Sequence, residues 1–356
     1  MKSRYKMIII TSFMVLLFLF TDNLKLKNFR IILFYFFSLC FSVLVYFRPE
    51  YMLNTDYKEY YNYFKWINFD NVYNLSDAIG FEYGFGYIVT LIKYFFESER
   101  ACFSGIAFLS VFISYKAILR LNPKTTAFSF SLFLLSFCVY IFLGQIRQGI
   151  SLSLGLLAIS YLLEDKRKQF LLTVIIASSI HVTALILILA PFVKYFRIKY
   201  IFYSLLISFT FVFIDVIKPL IITLVQFIPF GSFITGKIIA YGNSEFSTKV
   251  GFSFIQVYYV LLSTVLYILV QKYEYKNNHI LILCKIFMVG VILNFTFNSF
   301  SVLLRLTYYY LALDCILLGY LLNMAKNGYT KILIYCPTLM LFILRFYMQW
   351  SEHING

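Results

Sequence analysis

The feature that most constrains this chain is the recurrence of long apolar runs. They return about every twenty to thirty residues, and several exceed the roughly 18 residues that mark a membrane-spanning helix. The chain of 356 residues is 61% hydrophobic and only 13% charged, whereas a soluble protein carries about 25% charged residues. The runs are continuous rather than alternating, which excludes a β-barrel. We therefore predict an all-α, polytopic integral membrane protein with about 10–12 membrane helices.

The charge balance and the cysteines narrow the range of partners. The net charge is +15, which cytoplasmic loops rich in Lys and Arg explain in a membrane protein. An anionic, lipid-linked substrate would also fit this charge. No basic stretch is long enough for a nucleic-acid arm, so nucleic acid is not expected as a partner. The six cysteines form no CxxC pair, and no nucleotide-binding motif is present, so we expect no metal and no cofactor.

The chain shows neither an internal repeat nor a flexible linker, which favours one integral membrane domain over residues 1–356. The apolar run at 7–20 follows a basic start without a small-residue cleavage site, and we interpret it as a retained first helix. Two long stretches that are not apolar, 48–80 and 218–253, are interpreted as outer loops. An outer 48–80 requires either an interfacial 81–97 that does not cross the membrane or another irregularity. In the alternative, 81–97 crosses and 48–80 is cytoplasmic.

A broken segment is predicted in the middle of the chain. Basic clusters at 164–168 and 194–199 both favour the cytoplasm, yet only one apolar run, 169–193, separates them. A broken or re-entrant hairpin would keep both clusters inside. The small polar stretch 177–179 marks the break, and His181 follows it. The helix before His181 rises about 18 Å, against about 15 Å for half of the hydrocarbon core. This places His181 just past the midplane, on the outer side.

Ionisable side chains at membrane depth are costly, and they usually face a cavity or a partner. Arg147, Arg305 and His181 all belong to the outer half of the predicted topology, and together they indicate an anion site. Arginine binds phosphate in bidentate fashion and stays charged when desolvated. Gln145 and Gln148 flank Arg147 and add neutral hydrogen-bonding groups. The alternatives are that the arginines snorkel at helix ends and that the histidine is structural.

Aromatic residues accompany these polar groups. Tyr308 and Tyr309 lie one turn after Arg305, as on a sugar-facing surface, although tyrosine rows are also ordinary at membrane interfaces. The stretch 54–69, NTDYKEYYNYFKWINF, has a pattern that predicts an amphipathic helix. Its functional interpretation is a surface that contacts glycan or lipid carrier, with Asp56 or Glu59 as a candidate base. Interfacial packing is the alternative.

Taken in order along the chain, these motifs resemble those of the EpsG-like family of Wzy-type polysaccharide polymerases, over about residues 50 to 320. The Arg-Gln-Gly and histidine motifs, in this order and spacing, are the specific part of the resemblance. The motifs are Asp56-x-x-x-Tyr60, Glu82-x-Gly84-Phe85, Arg147-Gln148-Gly149, the segment Ala177–Ala184 around His181, and Arg305 with Tyr308–Tyr310.

The resemblance implies an enzyme in the bacterial plasma (inner) membrane whose active site faces the periplasm or the exterior. Such a glycosyltransferase joins oligosaccharide units carried on undecaprenyl pyrophosphate, without a metal. The lipid-linked oligosaccharide serves as both donor and acceptor. Membrane lipid and a chain-length regulator protein are the further partners that it implies. The implied catalytic groups are His181, as the first candidate for the base or as a further phosphate ligand, and then Glu82 and Asp56 as the next candidates for the base. Arg147, Arg305 and Gln148 are implied on the pyrophosphate, and Gln145, Tyr308, Tyr309 and Tyr60 on the sugars.

Two other functions remain open at the level of sequence. A flippase or transporter of lipid-linked oligosaccharide would also need a basic cavity, but it should show two pseudo-symmetric halves, and none is found. A membrane acyltransferase that modifies glycans is the third alternative, and it lacks support from an early histidine.

Overall fold

A computed structural model describes residues 27–47, 55–138, 143–213, 219–220, 223, 253–272, 278–325 and 327–355. The predicted first helix at 7–20 and nearly all of the predicted outer loop at 218–253 lie outside the described residues. Within the described part, the chain is helical and contains no strand.

The described residues include fourteen α-helices and two 3₁₀ helices. They are α1 (Lys27–Tyr46), α2 (Thr55–Trp66), α3 (Val72–Ile79), α4 (Tyr83–Phe96), α5 (Glu99–Leu121), α6 (Thr126–Phe137), α7 (Ile146–Leu163), α8 (Arg167–Ile180), a 3₁₀ helix (Val182–Tyr195), α9 (Ile198–Ser208), a 3₁₀ helix (Phe209–Val212), α10 (Phe254–Lys272), α11 (Asn278–Thr296), α12 (Ser301–Leu311), α13 (Leu313–Met324) and α14 (Gly328–Asn355).

Six helical segments among the described residues are long and apolar enough to cross a membrane. They are Glu99–Leu121, Ile146–Leu163, Phe254–Lys272, His279–Thr296, Leu303–Met324 and Gly328–Gln349. Four shorter apolar helices accompany them: Ile31–Tyr46, Thr126–Phe137, Val182–Tyr195 and Ile198–Val212. The prediction of an all-α, multi-pass membrane protein is confirmed.

The chain divides into two compact units. The first contains Met1–Leu185 and Cys315–Gly356, and the second contains Ile186–Asp314. Membrane-length helices occur in both, and the prediction of one integral membrane domain over 1–356 stays a prediction.

In the first unit, α1 and α5 are antiparallel. The Ser42 and Ser104 hydroxyl oxygens lie 2.7 Å apart, while the Phe34 ring stacks on the Tyr115 ring with centroids 3.6 Å apart. The end of α1 and the start of α5 therefore lie at the same end of the unit, and the segment between them makes no net crossing. Helix α4 has 14 residues, about 21 Å, which is shorter than a hydrocarbon core of about 30 Å. This is the geometry that a non-crossing 81–97 requires, and the outward orientation of 48–80 stays a prediction.

Helices α5 and α7 pack against each other, and their C-terminal ends meet because Arg120 at the end of α5 pairs with Glu164 directly after α7. The two helices therefore run parallel. Helix α8 then runs back along α7, and the Ser151 hydroxyl of α7 donates a hydrogen bond to the Ala177 carbonyl oxygen of α8 at 2.8 Å. The start of α7 and the end of α8 therefore meet at the end of the unit opposite Arg120.

The predicted helix break is confirmed at His181. Helix α8 ends at Ile180, and His181 has extended backbone angles of φ −153° and ψ 116°. A 3₁₀ helix that contains Pro191 follows. The break fits the local sequence, because Ser178 and Ser179 both bond their hydroxyls back to carbonyls three residues earlier, a competition that disfavours regular helix.

Candidate functional site

The carboxylate of Glu82 joins three elements that are distant in sequence. Arg147, in the first turn of α7, donates from Nη1 to Glu82 Oε2 at 2.6 Å. The other carboxylate oxygen, Oε1, accepts the backbone N–H of Val182 at 3.0 Å and lies 3.1 Å from His181 Nδ1. Glu82 itself immediately precedes α4. The start of α4, the start of α7 and the break after α8 therefore converge on one carboxylate.

Gly84 makes this convergence sterically feasible. A Cβ atom at position 84 would lie 2.3 Å from Ser179 Oγ and 2.6 Å from the Ser179 carbonyl oxygen. Real Cβ atoms essentially never show such contacts, so only glycine lets α4 approach the end of α8 this closely. The same approach brings Glu82, two residues earlier, within reach of His181.

Aromatic side chains enclose the arginine. The Arg147 guanidinium lies over the Phe81 ring, 3.9 Å from its centroid, and Arg147 Nε donates to the Tyr60 hydroxyl at 3.3 Å. The side chains of Arg147, Glu82 and His181 are 18%, 20% and 13% exposed. Tyr60, Glu82, Arg147 and His181 are called the Glu82 cluster below. Its partial burial strengthens the charge interactions within it.

Glu82 is ionised at neutral pH. Burial would raise its pKa, but the hydrogen bond with His181, the charge of Arg147 and the Val182 N–H together lower the pKa from 4.5 to about 2. An ionised carboxylate only accepts hydrogen bonds, so His181 Nδ1 carries a proton and the lone pair of a neutral ring lies on Nε2. A carboxylate with this pKa is a weak base. Glu82 therefore fits an orienting role better than the base role that the sequence allowed.

Three other predicted site residues lie near the cluster. Asp56 lies on α2, one turn before Tyr60, and burial raises the pKa of that tyrosine, with the Asp56 charge acting in the same direction. Gln145 immediately precedes α7, and Gln148 lies in its first turn; both side chains are buried. The structure thus brings together Tyr60, Glu82, Arg147 and His181, and it places the two glutamines at the same helix end.

The remaining predicted residues belong to the second unit. Arg305, Tyr308 and Tyr309 all lie on α12. Tyr309 is fully buried, whereas Arg305 and Tyr308 are partly exposed. Their roles on pyrophosphate and sugar stay predictions.

Sequence reasoning missed three contributors to the site. Phe81 supplies the ring under Arg147, Val182 supplies a backbone N–H, and Gly84 supplies the close approach. The glycine of the Glu-x-Gly motif was a usable signal, whereas a backbone N–H leaves no trace in a sequence. Among the described residues, no group of three or more His, Cys, Asp and Glu side chains is placed to hold a metal ion.

A family model described as the EpsG family matches residues 33–355, which is nearly the whole chain. No curated protein and no solved structure matches the chain. The matched region includes every member of the Glu82 cluster.

Proposed function

Since the chain belongs to the EpsG family, we propose that it polymerises oligosaccharide repeat units carried on undecaprenyl pyrophosphate, at the outer face of the bacterial plasma membrane. The observation that carries this proposal is the Glu82 cluster, in which one carboxylate holds a guanidinium and an imidazole together. A cation for the leaving group and a base for the acceptor are the two groups that this reaction needs.

The proposed reaction is a displacement at the anomeric carbon of the donor. An acceptor hydroxyl oxygen forms a new bond to that carbon, and the bond from the carbon to the pyrophosphate oxygen breaks. Undecaprenyl pyrophosphate leaves with the bonding electron pair. The hydroxyl proton passes to Nε2 of His181, while Glu82 holds Nδ1 and stabilises the imidazolium that forms. Glu82 is thus a positioning residue in this mechanism.

Arg147 stabilises the charge on the departing pyrophosphate. Its contacts to Glu82 and Tyr60 use two of the five guanidinium N–H donors. The Phe81 ring and the Tyr60 hydroxyl fix the plane of the guanidinium, so little reorganisation is needed when charge develops. A fixed guanidinium offers the paired donors that match phosphate oxygens.

The distribution of charge in the first unit supports the proposed outward orientation. The Glu82 cluster lies at the end opposite the pair of Arg120 and Glu164, near which Lys124 and the basic residues 166–168 also belong. Basic residues flanking membrane helices favour the cytoplasmic side, which supports a cluster that faces outward.

Deletion of the gene in its own host tests the proposal. The surface glycan, separated on a gel, should change from a ladder to a single repeat unit, and the wild-type gene should restore the ladder. An unchanged ladder would refute the polymerase function. Accumulation of lipid-linked units on the inner leaflet would favour the flippase alternative instead.

A reconstituted assay separates the chemistry from transport. Purified protein in liposomes, given lipid-linked repeat units already on the accessible leaflet, should release undecaprenyl pyrophosphate and form polymer. A flippase would form no polymer under these conditions, because the assay contains no other protein that could act as a glycosyltransferase.

A further inference from the structure

Three half-exposed tyrosines and one carboxylate form a continuous surface on α3 and α4, directly beside the Glu82 cluster. We call it the tyrosine platform; its members are Tyr73, Asp77, Tyr83 and Tyr87. The tyrosines are 55%, 42% and 40% exposed in that order. Tyr83 is the residue after Glu82, so the platform begins where the cluster ends.

The platform is held in a fixed geometry by its own polar groups. The Tyr83 hydroxyl donates to Asp77 Oδ1 at 2.5 Å, and the Tyr87 hydroxyl donates to the Tyr73 hydroxyl at 2.6 Å. The Tyr73 ring meets the rings of Tyr83 and Tyr87 edge to face, with centroids 5.2 Å and 5.8 Å apart. These contacts keep rings, hydroxyls and a carboxylate exposed side by side.

Close packing beneath the platform adds rigidity. A Cβ atom on Gly86 would lie 2.6 Å from the Tyr63 hydroxyl and 2.8 Å from Val72 Cγ2. The Tyr63 hydroxyl in turn lies 2.7 Å from Ser76 Oγ in a buried hydrogen bond. Helix α3 therefore sits close against α4 and cannot shift without breaking this contact, so a ligand would meet a preformed surface.

We propose that the tyrosine platform binds the sugar rings of the oligosaccharide substrate while its pyrophosphate lies at Arg147. This inference rests on the proposed polymerase function. Aromatic rings stack on the C–H faces of sugars, and tyrosine combines such a surface with a hydroxyl that hydrogen-bonds. The Asp77 carboxylate accepts bonds from sugar hydroxyls and repels phosphate, whereas Arg147 attracts phosphate. The two charges thereby orient the substrate.

The opposite end of α4 shows why lipid is not the proposed occupant. There, a hollow of about 450 Å³ is lined by residues that include Lys65, Trp66, Phe69, Lys93 and Tyr94. Lysine beside tryptophan and other aromatics is typical of a membrane interface. Two lysines accompany the acidic residue Glu97 in that hollow. The tyrosine platform has an acidic side chain and no basic one, and an uncompensated carboxylate is costly to bring into lipid.

Binding of a soluble glycan tests the proposal without catalysis. The probe is oligosaccharide released by partial hydrolysis of the surface polysaccharide of the host, which carries neither lipid nor pyrophosphate. Saturation-transfer NMR on the protein in nanodiscs should detect binding to the wild type. Tyr73→Ala and Tyr87→Ala should each weaken binding by about tenfold, as expected for the loss of one stacked ring.

Matched variants make the result specific. Tyr94→Ala removes an exposed tyrosine from the other end of the same helix and should bind as the wild type does. Tyr87→Phe keeps the ring and should retain most of the binding. Absence of wild-type binding, or equal losses for Tyr94→Ala and Tyr87→Ala, would overturn the proposal. In a background that also carries Trp66→Phe and Trp350→Phe, a Tyr73→Trp variant whose fluorescence is quenched by brominated lipid would assign the platform to the bilayer and also overturn the proposal.

The two proposals fail in different ways. If the wild type binds the glycan but the deletion strain keeps its ladder, the polymerase function is wrong and the platform stands as a glycan site. If the ladder is lost on deletion but Tyr73→Ala and Tyr87→Ala bind glycan normally, the platform is wrong and the polymerase function stands.

Discussion

Among its described residues, the first unit contains two arginine–glutamate pairs at its opposite ends, and both have a shortest N–O distance of 2.6 Å. In each, the glutamate bridges to a second basic group, which is His181 for Glu82 and Lys166 for Glu164. An aromatic ring also lies against each guanidinium. By distance alone, the pairs are equivalent.

Burial and connectivity separate them. Arg120 and Glu164 are 32% and 33% exposed, whereas Arg147 and Glu82 are 18% and 20% exposed. Residues 120 and 164 join helix ends near basic loops, where a solvated ion pair stabilises little. The pair of Arg147 and Glu82 is enclosed and bonded to an imidazole, so its charges act at short range in a medium of lower dielectric constant. Short ion-pair distances therefore do not identify a functional site, and the surroundings decide.

Arg147→Lys should have the largest effect on activity, whereas the equivalent change in the other pair should have almost none. Lysine keeps the charge but loses the planar set of paired donors, so polymer formation in liposomes should fall by about 100- to 1,000-fold. Arg120→Lys is the matched control and should stay within about twofold of the wild type, as expected for a surface pair. Equal losses in the two variants would show that Arg147 has no special role.

Glu82→Gln should be the next largest effect, with a loss of about 100-fold in the rate of polymer formation. The amide cannot provide the charge that holds Arg147 and stabilises the imidazolium of His181. Glu164→Gln should change the rate little. A Glu82→Gln variant that is as active as the wild type would exclude the positioning role, whatever its thermal stability.

Gly84→Ala should lower stability by about 1–3 kcal/mol, the usual cost of overpacking, and should lower activity because α4 moves away from α8. Thermal melting in detergent measures the first effect and the liposome assay the second. Adding Ser179→Ala should not rescue the variant, because the Ser179 carbonyl oxygen also blocks the Cβ. Gly105→Ala is the control, since its nearest neighbour is the flexible end of Ile92 at 3.0 Å.

The smallest effect concerns pH. Because the pKa of Glu82 falls from 4.5 to about 2 on folding, its ionisation favours the folded state above pH 4.5, and this contribution is lost as the pH falls toward 2. The difference in melting temperature between wild type and Glu82→Gln should therefore persist from pH 7 to pH 5 and shrink below that range. A difference that already shrinks near pH 6 would contradict the assigned pKa.

Much of the fold was predictable, because hydropathy and helix breaking are local properties. The apolar runs predicted the membrane helices, and the small polar residues before His181 predicted the end of α8. The sequence also singled out Arg147 and His181, since ionisable groups stand out in an apolar chain, and the Glu-x-Gly motif of the resemblance singled out Glu82. Their roles stay predictions. The sequence suggested Glu82 as a base, but the contacts of its carboxylate make it a weak one.

The sequence by itself determined that this chain is a helical membrane protein and which few polar side chains interrupt its apolar segments. Only the tertiary structure decided that residues 82, 147 and 181 meet, that Gly84 permits the meeting, and that Tyr73 and Tyr83 share one surface. The physical reason is that hydropathy belongs to single residues and periodicity to one helix. A contact between residues 65 or 99 positions apart depends instead on how several helices pack together.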